Sequence, residues 1–185
     1  MSADFTANSY RWPLITLDFE ASALARHSYP IEIGLCVWEA PGQPAYSWSS
    51  LIKPTPAWLN SGQWSEASEA IHGIPLSSLQ DAPEAGLVLR QANAFAKVGA
   101  IAQCDGGAWD AYWLDRLEKA AEAHATFQLG SWQLVQHAMP TTLAQTIQSY
   151  CTPDKIAHRA GPDAEMHVLA FAQALDLSPP EIIRV

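Results

Sequence analysis

The apolar periodicity of this chain changes near residue 82, and that change restricts its fold more than any other feature. Before it, Trp12 to Phe19, Ile31 to Trp38 and Tyr46 to Ile52 are short apolar runs separated by Pro-Gly turn signals, the pattern of three strands in a meander. After it, Pro83 opens a stretch in which Leu87, Val88, Ala92, Phe95 and Val98 recur at helical spacing, with proline at a tolerated first-turn position. A strand over Ala100 to Gln103 follows. Trp109, Tyr112, Trp113, Leu117 and Ala120 then mark a helix, and Phe127 to Leu134 a fifth strand. Helices near 141–150 and 163–175 close the chain. Three strands in series followed by alternating helix and strand predict an α/β fold, a mixed five-stranded sheet flanked by helices on both faces. Pro54, Pro56, Asn60, Ser61 and Gly62 mark the main loop. Ile71 to Pro75 form a turn after a short helix, and Ser178 to Val185 read as a tail or last turn.

With 185 residues, 49% of them hydrophobic, the expectation is a single domain over 1–185. The first ten residues lack a basic start and an apolar run, and no apolar stretch is long enough to cross a bilayer. Cys36, Cys104 and Cys151 are odd in number and widely spaced, which suggests buried thiols in a reducing compartment. Those readings predict a cytoplasmic protein with no membrane partner. The formal charge of −9 is unfavourable for gripping long nucleic acid, because that grip comes from lysine and arginine displacing counterions. Two divalent cations would offset four of those charges, and the remaining excess suggests a short or local contact. Arg26, Lys155 and Arg159 lie beside the motifs described next, as a small phosphate-facing patch or as scattered solubilising charges.

Three motifs carry the chemistry. Asp18 and Glu20, at the end of Leu-Ile-Thr-Leu-Asp-Phe-Glu, are two apart on a strand, so both carboxylates leave the same face and can share an ion. Asp110 stands near the start of the aromatic-rich helix; its alternative reading is a first-turn acid favoured by the helix dipole, with Asp105 or Asp115 as the functional acid. His158 and Asp163 flank Arg-Ala-Gly-Pro, where Gly-Pro turns the chain and starts a helix, so the histidine can lean over the acid. An imidazole with an ordinary pKa near 6.5 suits proton removal from an attacking water better than ligation of magnesium, which prefers oxygen. His72, His124 and His137 read as structural; His167 shares a helix face with Asp163 and is retained as a neighbour of the site. Trp12, Trp38, Trp48, Trp109 and Trp113 fit core positions, whereas Trp58 and Trp64, in the proline-rich loop, are candidates for base stacking.

Taken together, Asp18-x-Glu20, Asp110 and His158-x4-Asp163 resemble the three exonuclease motifs of the DEDD superfamily, histidine subclass. Tyr29 to Gly34 resembles the family's second strand, and Ile71-His72-Gly73-Ile74 with Leu79, Ala82 and Pro83 its intervening segment. The resemblance implies a ribonuclease H-like fold and two Mg2+ (or Mn2+) ions. It implies that Asp18, Glu20 and Asp163 hold the ion that activates water, that Asp18 and Asp110 serve the second, and that His158 is the general base. It further implies that Phe19, Ala21 and Leu24 line the terminal nucleotide, Leu24 as a wedge beside the last base. The partners implied are 3′ ends of RNA or DNA, and a homodimer is among the implied assemblies. Two departures bear on specificity: Ala21-Ser22-Ala23 stands where relatives often have Thr-x-Gly, and Gly106 where they often have asparagine.

The function expected is therefore metal-dependent 3′ to 5′ removal of nucleoside 5′-monophosphates from single-stranded or short ends, with RNA slightly favoured by the sparse basic charge. The competing expectations are a binding module on the same fold and a phosphodiesterase acting on small dinucleotides.

Overall fold

A computed structural model of the chain describes residues 5–152 and 156–185, so Lys155 lies outside the described residues. A mixed sheet is built from β1 (Leu14–Ala21), β2 (Pro30–Trp38), β3 (Ala45–Leu51), β4 (Ile101–Cys104), β5 (Gln128–Ser131) and β6 (Ile182–Arg184), in the order β5-β4-β1-β2-β3-β6. β1, β2 and β3 form the expected antiparallel meander, while β4 runs parallel to β1 and β5 parallel to β4.

The helices are α1 (Pro56–Ser61), α2 (Glu66–His72), α3 (Ala85–Ala96), α4 (Ala108–Ala121), α5 (Trp132–His137), α6 (Thr141–Tyr150) and α7 (Ala160–Ala174). Alternation along β1 assigns them to layers. Ile15, Leu17 and Phe19 enter a core with Val88 and Leu89 of α3 and Trp113 and Leu117 of α4. Leu14 enters the opposite core, with Trp132 of α5, Ile147 of α6 and Val168 and Phe171 of α7. The Thr16 hydroxyl donates to the Ala164 carbonyl at 2.6 Å, tying β1 to α7.

Gly34 explains how α7 comes so close to the sheet. A Cβ there would stand 2.2 Å from the Ala160 carbonyl, so only glycine lets the start of α7 rest on β2. Gly34 is paired with Asp18 across the β1–β2 ladder, which puts the start of α7 beside the acids of β1.

Three differences from the sequence-based expectation have local causes. The sheet has six strands rather than five, because Ile182–Arg184 pairs in parallel with β3. Three residues after two prolines are too few to show an alternation, and the docking comes instead from Arg184, whose guanidinium grips the buried Glu165 carboxylate at 2.8 and 2.6 Å. The loop expected over Pro54 to Gly62 contains α1, started by Pro56 and capped by Thr55, whose hydroxyl accepts from the Trp58 N–H at 3.1 Å. The fifth strand stops at Ser131, because the Ser131 hydroxyl caps α5 by accepting from the Leu134 N–H at 3.3 Å.

Candidate active site

The C-terminal end of β1, the start of α7, α2 and the β4–α4 turn surround an open cavity of about 300 Å³. Asp18, Phe19, Glu20, Ala21, Leu24, His158 and Asp163 all line it. Oxygen atoms of Asp18, Glu20 and Asp163 lie within 4.8 Å of one another, so residues 18 and 163 meet although 145 positions separate them. Asp110, in the first turn of α4, is buried and belongs neither to this trio nor to the cavity lining, although its charge raises the Asp18 carboxyl; its Oδ2 has no hydrogen-bond partner among the described residues. Arg159 stands outside the cavity lining.

Burial, and then the neighbouring carboxylates Glu20, Asp110, Asp105 and Asp163, hold the Asp18 carboxyl well above the usual range. Burial pushes Glu20 up to about 8, with Asp163 and Glu32 adding to the shift and Arg159 opposing it. Burial likewise moves Asp110 up to about 6 and raises Asp163, although the latter accepts two backbone N–H bonds that favour its charged form. Acids packed this closely need protons or a cation among them. An oxygen-only donor set, with the buried, unpartnered Asp110 oxygen in electrostatic reach of Asp18, suits a hard divalent ion such as Mg2+ or Mn2+.

The strap that carries His158 is held from both sides. Asp163 accepts from the N–H groups of Ala157 at 2.9 Å and Arg159 at 3.2 Å. Glu32, on β2, accepts from Arg159 Nε at 2.9 Å, Arg159 Nη2 at 2.7 Å and the Ala160 N–H at 3.1 Å. Between these anchors His158 has φ +51°, a left-handed conformation that a non-glycine residue keeps only when its surroundings impose it.

On the opposite wall, the Asp105 carboxylate meets His167 Nε2 at 3.3 Å. Burial lowers the His167 pKa, but the contacts with Asp105 and Cys151 together outweigh it and push the imidazole up to about 10; the bond to His167 holds Asp105 below its ordinary value. His72 also lines the cavity. Its Nδ1 accepts the Ile74 N–H at 3.0 Å, which leaves the proton of the neutral ring on Nε2, and burial lowers its pKa. In the sequence Asp105 stands as an alternative to Asp110 and as a neighbour that could alter substrate contacts, and His72 reads as structural; the structure places both in the cavity lining.

The aromatic expectations change. Trp58 is buried and stacks on Tyr29 at 5.4 Å, and Trp64 is half-buried with its indole N–H donating to Glu69 at 2.8 Å, so neither is a free stacking platform. Trp109, expected in the core, is partly exposed and stacks on Trp113 at 5.6 Å. Leu24 is 71% exposed at the cavity rim.

No protein-family model matches the sequence, and neither does any of the curated proteins. Solved structures do match. A 3′-exonuclease described for 3′-end-specific recognition of a histone mRNA stem-loop superposes with a TM-score of 0.66 at 14% identity, over 94% of this chain and 67% of that one. The zinc-bound complex of E. coli ExoI with single-stranded DNA gives 0.63 at 10% identity, over 90% of this chain and 40% of that one. The cell-death related nuclease CRN-4 gives 0.52 at 18% identity, over 88% and 62%. The chain thus spans between two fifths and two thirds of the length of these proteins. It has the α/β, ribonuclease H-like fold that these exonucleases share.

Proposed function

We propose that this chain is a divalent-metal-dependent 3′ to 5′ exonuclease of the histidine subclass, releasing nucleoside 5′-monophosphates from single-stranded or short 3′ ends. The observation that carries the proposal is the meeting of Asp18, Glu20 and Asp163 within 4.8 Å in a cavity that His158 also lines. Asp18, Glu20 and Asp163 would hold one cation, and Asp18 with Asp110 a second. Divalent ions bound there supply a water nucleophile at neutral pH and a sink for charge on the leaving oxygen. His158 takes the proton of the attacking water. Leu24 and Ile71, both exposed and lining the cavity, offer apolar surface to the terminal base.

The charge distribution supports short substrates. Of the nine described lysines and arginines, Lys97, Lys119, Arg159 and Arg184 are already paired with Glu39, Asp115, Glu32 and Glu165. Few cations remain to follow a long phosphate backbone. RNA oligonucleotides are the favoured class, and the free cysteines suit a reducing cytoplasm.

RNA and DNA oligomers of increasing length, starting from dinucleotides, incubated with Mg2+ or Mn2+ and resolved by product length, test the proposal. The expected product is a ladder shortened one 5′-monophosphate at a time from the 3′ end. Cleavage confined to dinucleotides would assign a small-molecule phosphodiesterase instead, and intact oligomers throughout would leave only a binding module.

A further inference from the structure

The cavity wall opposite the His158 strap is built on weak local structure. Asp105 is the first residue after β4; Gly106 and Gly107 follow, Gly107 with φ +58°, and α4 begins at Ala108 with Asp110 in its first turn. Two consecutive glycines lose more backbone freedom on folding than any other pair and contribute no side-chain contacts to hold the turn. The turn is held from outside. Asp105 reaches His167 on α7, one helical turn beyond Asp163, and its backbone carbonyl accepts from Gln133 Nε2 at 3.1 Å.

His167 is a fixed partner. Its side chain is 4% exposed, its ring lies 5.0 Å from that of Trp132, and its Nδ1 is 3.9 Å from Cys151 Sγ. The Asp105 side chain is 49% exposed and is not one of the three acids whose oxygens converge. The contact therefore joins the turn leading to Asp110 with the helix carrying Asp163, from a position beside the acids.

We propose that the Asp105–His167 pair is a brace that sets the separation of Asp110 from Asp163 and, with it, the affinity of the cavity for divalent cations. Both are positioning residues. The inference rests on the metal site of the preceding section and extends it to two side chains outside its three converging acids. Groups that orient metal ligands from outside change metal affinity by about 10- to 100-fold when removed.

The test is a Mn2+ titration of the melting temperature of the full chain as wild type, Asp105→Asn, His167→Gln and the double variant. It reads binding without catalysis. Each single variant should need at least about tenfold more Mn2+ for its half-maximal shift, and the double variant should be little worse than the weaker single, because both changes break one contact. Asp105→Asn replaces a half-exposed side chain by its isostere, so it keeps the test open if His167→Gln fails to fold. Metal-free melting temperatures that fall while the Mn2+ midpoints stay at the wild-type value would overturn the brace and leave the metal site standing. A wild-type protein indifferent to Mn2+ would overturn both.

Discussion

The two walls of the cavity hold their acids by opposite means. On the α7 side the fixed element is a carboxylate: Glu32, 3% exposed, grips Arg159, whose side chain is 43% exposed, and the strap between them and Asp163 is held by five hydrogen bonds. On the α4 side the fixed element is an imidazole, with the half-exposed Asp105 as the outer member and two glycines where the other wall has anchored backbone. The consequence lies in what each buried group does when its partner is lost. A buried glutamate that loses its guanidinium partner is left as an uncompensated charge, a loss of about 3–5 kcal/mol for a buried pair. An imidazole, with an ordinary value near 6.5, gives up its proton at pH 7 for almost nothing. The α7 wall should therefore carry stability and the general base, and the α4 wall should tune metal affinity.

Substituting His158 by Ala should sharpen this contrast most. Release of mononucleotides should fall by about 10² to 10⁴, the span of a lost general base, while the Mn2+ midpoint of the melting temperature stays put. A shifted midpoint would mean that the strap histidine serves the metal as well.

Arg159→Met should come next, by leaving Glu32 with only the Ala160 N–H. Urea unfolding at pH 7 should show a loss of about 3 kcal/mol, roughly 6–12 °C in melting temperature for a chain of this size. A loss comparable to that of Asp105→Asn, expected to be about 1 kcal/mol, would erase the difference between the walls.

Gly106→Ala probes the α4 side alone. A Cβ at 106 would lie 2.7 Å from the Asp110 carboxylate and must turn it away. The Mn2+ midpoint should rise about tenfold while metal-free stability changes by less than about 1 kcal/mol, since alanine also narrows the unfolded ensemble.

The smallest effect is on pH dependence. Asp18, Glu20, Asp110 and Asp163 have carboxyls raised by folding, so each binds its proton more tightly folded than unfolded. Their contribution to stability is complete below about pH 4 and is lost as pH rises through the folded values, about 6 for Asp110 and about 8 for Glu20. The metal-free melting temperature should fall from pH 5 to pH 8.5, and Mn2+ should raise it more at the upper end. A metal-free melting temperature that climbs over this range would contradict the mutual repulsion of the cluster.

What was legible in the sequence follows this division. The period-2 spacing of Asp18 and Glu20 gives their common face directly, and the Gly-Pro of α7 places Asp163 in a first turn, so the sequence located the converging acids well. The contacts that hold the walls were out of reach. Asp105 and His167 are 62 residues apart on elements whose packing depends on Gly34, and the Glu32–Arg159 pair spans 127 residues. The last strand pairs with β3 but shows no alternation of its own, and the contact that docks it, Arg184 on the buried Glu165, lies on a helix face that the sequence shows as one more apolar stretch. Trp58 looked free because Pro54 and Gly62 suggested an open loop, whereas Thr55 caps a helix there and turns the indole onto Tyr29.

The most direct test of the central claim, that the acids of β1 and α7 form one catalytic metal site, is product analysis of a 3′-labelled oligoribonucleotide. Wild type and Asp18→Ala, purified in parallel, would each be incubated with Mn2+. The wild type should release labelled nucleoside 5′-monophosphate, and the variant at least about 10³-fold less. Equal release by the two proteins, or none by the wild type, would contradict that claim.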